Sequence, residues 1–144
     1  MIEQDTIRLL RECDAGIKMG VTSLDEVLDC VQDQGLKQLL IENKTQHEAL
    51  REELQALLDA YHDEGKEPPA MAKSMSWIKT NVKLAVNESD GTIADLITDG
   101  CNMGVKSLNR YLNEYKAADE KSKDLAKRLI QLEEGLAMEL RKFL

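Results

Sequence analysis

Apolar residues recur at alternating steps of three and four along four long stretches of this chain of 144 residues. Such spacing places them on one face of an α-helix, and that face must be buried against another element. The stretches cover residues 7–31, 36–61, 94–115 and 122–143. No segment shows the strict two-residue alternation of a half-buried strand. The pattern therefore predicts an all-α protein built from four long amphipathic helices.

Turn signals separate the four stretches. We expect Gly35 to adopt a left-handed conformation at the end of the first helix, and Ser89 or Asp90 to cap the third. Residues 70–86 predict a shorter fifth helix, with Trp77 covering part of the bundle. The chain then forms one domain over residues 1–144, divided into hairpin 3–64, crossover helix 68–86 and hairpin 90–144.

The two halves of the sequence resemble each other. Residues 19–24, MGVTSL, recur as residues 103–108, MGVKSL, at a shift of 84 residues. After the hairpin turn the best shift becomes 86 residues, which aligns Glu48 and Leu50 with Glu134 and Leu136. A two-residue insertion at the second turn explains the change, because turns tolerate differences in length. Each repeat is thus predicted to be one helical hairpin, and the two amphipathic hairpins bury their apolar faces against each other.

The connection between the hairpins determines the topology. The second helix is about 40 Å long at 1.5 Å per residue. The segment from Gly65 to Gly91, with its own helix, can run back along the whole bundle. We expect the second hairpin to start at the same end as the first, which gives a four-helix bundle with one long crossover.

The order of hairpin, long crossover and hairpin resembles the ferritin-like superfamily over nearly the whole chain. Residues 70–77, AMAKSMSW, and 99–104, DGCNMG, are similar to small uncharacterised bacterial ferritin-like proteins. The resemblance implies a ferritin-like four-helix bundle and brings no established activity. It is compatible with an interaction, ligand-binding or stress-associated role. The alternative that it implies is a metal-binding protein with iron storage or redox activity.

The ligand pattern of a ferritin-like di-iron centre is absent from this sequence, which contains no Glu-x-x-His. Four polar residues nevertheless interrupt the apolar faces, namely Asp14, Asn43, His47 and Glu133. Asp14, His47 and Glu133 are candidate ligands for a mononuclear Fe, Zn or Mn site. The favoured interpretation is a polar layer satisfied by its own hydrogen bonds, with no cofactor and no catalytic residue.

Two pairs of glycines occupy equivalent places in the repeats, at Gly16 and Gly20 and at Gly100 and Gly104. A glycine inside a helix costs about 1 kcal/mol relative to alanine, so the pairs need a reason. We expect close packing of backbones or of a large side chain such as Trp77. A small-ligand cavity at the centre of the bundle is the alternative.

Charge and cysteine content limit the partners. The chain has 27 acidic residues against 19 Lys and Arg, a net charge of −8, which disfavours nucleic acid and anionic membranes. No segment is apolar enough for a membrane span or a signal peptide. Three cysteines without a CxxC motif predict reduced thiols in a cytoplasmic protein, with Cys13 and Cys101 in the core. A homodimer, an unknown protein or a small molecule are the partners left open.

Overall fold

The computed structural model describes residues 2–67 and 89–144. These residues form four long α-helices and no strand, as the sequence predicts. The helices are α1 (Ile2–Leu28), α2 (Gln34–Ala60), α3 (Asp90–Glu114) and α4 (Glu120–Leu140), followed by a 3-10 turn at Arg141–Phe143. The predicted crossover helix 68–86, with Trp77, lies outside the described residues. In no described helix is there a stretch long and apolar enough to cross a membrane.

Short polar side chains begin three of the helices. Asp33 accepts a hydrogen bond from the Leu36 amide at the start of α2, and Asp119 accepts one from the Ser122 amide at the start of α4. At α3 the cap is Ser89, one of the two residues predicted for this role. Each cap satisfies an amide at a helix end that has no partner within the helix, and each contributes about 1 kcal/mol.

The left-handed conformation predicted for Gly35 is wrong. Asp33 already caps α2, so Gly35 lies in the first turn of that helix. Among the described residues, the glycine with a positive φ is Gly65, at +85°. It follows α2, where the chain turns back towards α1.

The turn between α1 and α2 lies beside the start of α3. The backbone amides of Gln32 and Asp33 each donate to the carboxylate of Asp90 over 2.9 Å. The chain therefore enters its second hairpin at the end of the bundle where α1 finishes.

At the other end of the bundle, the turn between α3 and α4 lies beside the start of α1. The Ala117 amide donates to Asp5 over 3.0 Å, and the Asp119 amide donates to the hydroxyl of Thr6 over 2.8 Å. Helices α1 and α4 thus run in one direction, and α2 and α3 run in the other.

The expectation that both hairpins start at the same end is therefore wrong. The first hairpin starts and finishes at one end of the bundle, and the second starts at the opposite end. The physical reason is simple, because a hairpin returns the chain to the end from which it began. A connection that spans the bundle must then deliver the chain to the far end.

The apolar core consists of two clusters, one at each end of the bundle. The lower cluster surrounds the start of α1 and contains leucines from all four helices. The upper cluster surrounds the turn between α1 and α2. Fully buried members of the lower cluster include Leu9, Leu10, Ile17, Leu54, Leu58 and Leu125, and those of the upper cluster include Leu36, Leu40, Ile93, Ala94 and Leu140.

Candidate functional site

A polar layer crosses the bundle between the two apolar clusters. It consists of Gly20 from α1, His47 from α2, Gly104 from α3 and Glu133 from α4, and we call it the central layer. Each of these residues falls between the lower and the upper cluster along its own helix. The layer thus interrupts an otherwise continuous core at mid-height.

His47 is the buried centre of this layer, with 1% of its surface exposed. Its Nδ1 lies 3.0 Å from the backbone oxygen of Asn43, and its Nε2 lies 3.1 Å from Oε1 of Glu133. A carbonyl oxygen can only accept a hydrogen bond, so Nδ1 must carry a hydrogen. The contact with Glu133 then requires one proton shared between Nε2 and the carboxyl group. Both ring nitrogens of His47 are therefore satisfied within the protein.

Two glycines make room for this pair. A Cβ atom at Gly20 would lie 3.0 Å from Cδ2 and Nε2 of His47, and one at Gly104 would lie 3.2 Å from Oε2 of Glu133. A Cβ at Gly16 or Gly100 would meet no atom within 4 Å. The second glycine of each pair is thus the packing residue. Its large neighbour is His47 or Glu133, whereas the predicted neighbour Trp77 lies outside the described residues.

Alanine substitutions should separate the two kinds of glycine. Gly20→Ala is expected to lower the free energy of unfolding by about 1–2 kcal/mol, because hydrogen bonds on both sides hold the His47 ring against the new methyl group. Gly16→Ala is expected to raise it by up to about 1 kcal/mol, since alanine is the better helix former. Urea denaturation monitored by circular dichroism measures both. Equal effects at the two positions would contradict the packing role.

A buried thiol adjoins the central layer. In Cys101 of α3, burial together with the nearby carboxylate of Glu133 raises the pKa of the thiol. Burial likewise raises the pKa of Cys13, in the lower cluster, to about 12. Both thiols are protonated at neutral pH, which makes them poor nucleophiles. The position of Cys101 next to this layer is not among the predictions from the sequence, although the three-residue spacing from Cys101 to Gly104 places both on one face of α3.

Asp14 lies in a different cluster, nearer the start of α1. It is 1% exposed, and its Oδ2 accepts hydrogen bonds from the Lys66 amide and the Lys18 ammonium over 2.9 and 2.8 Å. Gly20 lies six positions further along α1, which is about 9 Å along the helix axis. The structure therefore brings His47 and Glu133 together and leaves Asp14 apart from them.

Residues 63–67, which we call the anchored segment, form the other side of the Asp14 cluster. Asp63 binds Arg11 through both carboxylate oxygens, and this hydrogen-bonded contact with a guanidinium lowers the pKa of Asp63. Lys66 binds Glu12 over 2.6 Å, and Lys18 reaches Glu67 over 3.0 Å. The segment after α2 is thus attached to α1 from Arg11 to Lys18.

The candidate ligands do not fit a metal centre. Within residues 2–67 and 89–144, no three His, Cys, Asp or Glu side chains converge in a way that could hold a metal ion. Oδ2 of Asp14 already binds the Lys66 amide and the Lys18 ammonium, whereas its buried Oδ1 has no hydrogen-bond partner within the described residues. His47 has one hydrogen-bond partner for each ring nitrogen. The central layer supplies two ligands where a stable site needs at least three.

A groove of about 550 Å³ lies between α2 and α4, on the outer side of the central layer. Its floor is apolar, and its rim carries glutamates and one arginine. Asn43 lines this groove, is 5% exposed, and has no hydrogen-bond partner for Oδ1 within the described part of the chain. The lining residues are Leu39, Glu42, Asn43, Gln46, Ala49, Leu50, Glu53, Arg128, Gln131, Leu132, Gly135, Leu136 and Glu139.

Comparison with known proteins gives no match: no family model, no curated protein and no solved structure shows significant similarity to this chain. A functional proposal must therefore depend on the geometry of the central layer and of the groove.

Proposed function

We propose that this chain is a cytoplasmic, ferritin-like bundle that acts by binding a partner and has no catalytic metal centre. The observation that carries the proposal is the bond between His47 and Glu133, which uses both groups within the protein. In a ferritin-like bundle, the inner faces of the helices at mid-height are where metal ligands project. In this chain a histidine–carboxyl pair and two glycines occupy that height.

Two features support the ferritin-like part of the proposal. The described ends of the connection after α2 lie at opposite ends of the bundle, as a long crossover requires. The packing of Gly20 on His47 also corresponds to that of Gly104 on Glu133, at positions that the sequence repeat aligns. The cytoplasmic part depends on the three cysteines, an odd number that disfavours a disulfide framework.

Metal loading tests the proposal. Protein expressed without a chelator, and then incubated with Fe(II), Zn(II) or Mn(II) and desalted, is expected to retain less than about 0.1 equivalents of metal, since a two-ligand site binds weakly. Elemental analysis by mass spectrometry gives this number. The matched variants are His47→Ala, which removes a central ligand, and Gly16→Ala, which alters an open position on α1.

The competing function is a mononuclear metal protein that uses Asp14, His47 and Glu133. It requires about one equivalent of bound metal in the wild type and in Gly16→Ala, and loss of that metal in both His47→Ala and Asp14→Ala. Such a result would overturn the proposal. Metal that stays bound in His47→Ala would place the ion elsewhere and leave the central layer structural.

A further inference from the structure

The groove between α2 and α4 has the shape of a site for a helix. All of its lining residues come from these two antiparallel helices, so it is a long channel that opens outward. Leu39 and Leu132 are half-buried in it, Leu50 and Leu136 form its base, and Gly135 leaves open space beside them. A partner helix with apolar residues at spacings of three and four can cover such a floor.

Asn43 is a buried polar residue beneath this apolar floor. Its Oδ1 is buried and accepts no hydrogen bond within the described residues. Because that atom has almost no accessible surface, a partner in the groove cannot donate to it, and the surface that recognises the partner does not include the amide. The residue aligned with Asn43 at the 86-residue shift is Leu129, which is buried in α4. An apolar residue therefore fits the same height of the bundle, and packing alone does not require the amide at this position.

The rim of the groove determines the charge of the partner. Glu42, Glu53 and Glu139 line it together with a single cation, Arg128. The guanidinium of Arg128 is already bound to Glu53 over 2.8 Å and to Asp124 over 2.9 Å. The excess of carboxylates on the rim, in a chain of net charge −8, favours a cationic partner.

We infer that the groove binds a basic amphipathic helix of a partner protein. The apolar face of that helix covers Leu39, Leu132 and Gly135, and its Lys or Arg residues lie beside the glutamates of the rim. This inference rests on the proposal that the protein acts by binding. It names the chemical class of the partner and the surface that recognises it.

A synthetic peptide tests the inference directly. The probe is an 18-residue fluorescent peptide of Leu and Lys, with Leu at helical spacings of three and four, and its matched analogue carries Glu in place of Lys. Fluorescence anisotropy is expected to show binding of the Lys peptide to the full chain, and binding of the Glu peptide at least about tenfold weaker. Added salt is expected to weaken binding of the Lys peptide, because the rim charges are exposed.

Three variants locate the binding surface. Gly135→Trp fills the groove, and we expect it to weaken binding of the Lys peptide at least about tenfold. Gly16→Trp is the matched control, because it also introduces Trp at an open helical position but lies on α1, away from the groove, and it should bind like the wild type. Asn43→Leu replaces a buried acceptor that the peptide cannot reach with the residue type found at the aligned position, and it should also bind like the wild type.

Several outcomes would overturn the inference. Equal affinity of Gly135→Trp and wild type would show that the peptide binds another surface, and equal affinity for the two peptides would remove the argument from charge. Sedimentation that shows a wild-type dimer and a Gly135→Trp monomer would make a second copy the occupant. None of these outcomes depends on metal content, so the proposed function and this inference can fail separately.

Discussion

Replacing His47 with leucine while Glu133 remains should lower the free energy of unfolding by about 3 kcal/mol. The variant deletes the partner of a carboxyl group that is only 12% exposed and lies between two apolar clusters. Breaking a buried pair by removing one member costs about 3–5 kcal/mol, chiefly because the other member stays buried without a partner. The partial exposure of Glu133 puts the expected effect at the lower end of that range. Urea denaturation at constant pH measures the loss.

The double variant distinguishes this explanation from a simple loss of packing. His47→Leu with Glu133→Leu replaces both members with apolar side chains, so no polar group is left alone. We expect it to recover most of the stability, with a coupling energy of at least about 1.5 kcal/mol between the two sites. Leucines at this height would join the lower and upper clusters into one continuous core.

An exposed pair provides the matched control. Arg128 and Glu53 also join α4 to α2, but their side chains are 39% and 48% exposed. Their coupling energy, measured in the same kind of cycle, is expected to stay below about 1 kcal/mol because solvent screens the charges. A coupling at His47 and Glu133 no larger than that of this control would contradict the buried role of the central layer.

Much of the fold follows from the periodicity of the sequence. The four apolar stripes predict four helices because apolar residues at every third or fourth position lie on one face of an α-helix. Ser89 was predictable as a cap because its hydroxyl can accept a bond from an amide three residues later. The left-handed conformation predicted for Gly35 is wrong because a glycine between two helices is compatible both with the end of the first and with the first turn of the second. The side chain of Asp33 caps α2, so the helix begins at Gln34 and includes Gly35.

The contacts between helices were harder to predict. His47 and Glu133 occupy equivalent positions in the two repeats, 86 residues apart. In the structure these two residues bind each other in the central layer. The sequence places Asp14 on the inner face of α1, but the face of a helix does not specify the height of a residue along the bundle. In the structure Asp14 binds the backbone amide of Lys66, a residue beyond the end of α2. This contact places Asp14 nearer the start of α1 than the central layer. Local patterns in the sequence do not encode such a long-range backbone contact.

Asp14 is therefore expected to control the attachment of residues 63–67 to α1. In Asp14→Ala, the Lys66 amide loses its acceptor and Lys18 loses a buried counter-ion, and we expect the free energy of unfolding to fall by about 2–3 kcal/mol. The anchored segment should loosen before the helices unfold, because its other contacts are ion pairs that lie partly in solvent. Hydrogen exchange of the Lys66 amide, followed by NMR, is expected to become at least about tenfold faster.

Two further variants separate the parts of this contact. Asp14→Asn keeps an acceptor for the Lys66 amide and removes the charge, so exchange should increase less than in Asp14→Ala. Gly65→Ala leaves Asp14 in place, but its Cβ would clash with Oδ2 of Asp14, in a backbone conformation with φ of +85°. The clash and the strained φ should therefore displace the anchored segment as Asp14→Ala does. Unchanged exchange of the Lys66 amide in both Asp14→Ala and Gly65→Ala would show that the ion pairs of Arg11 and Glu12 hold the segment without Asp14.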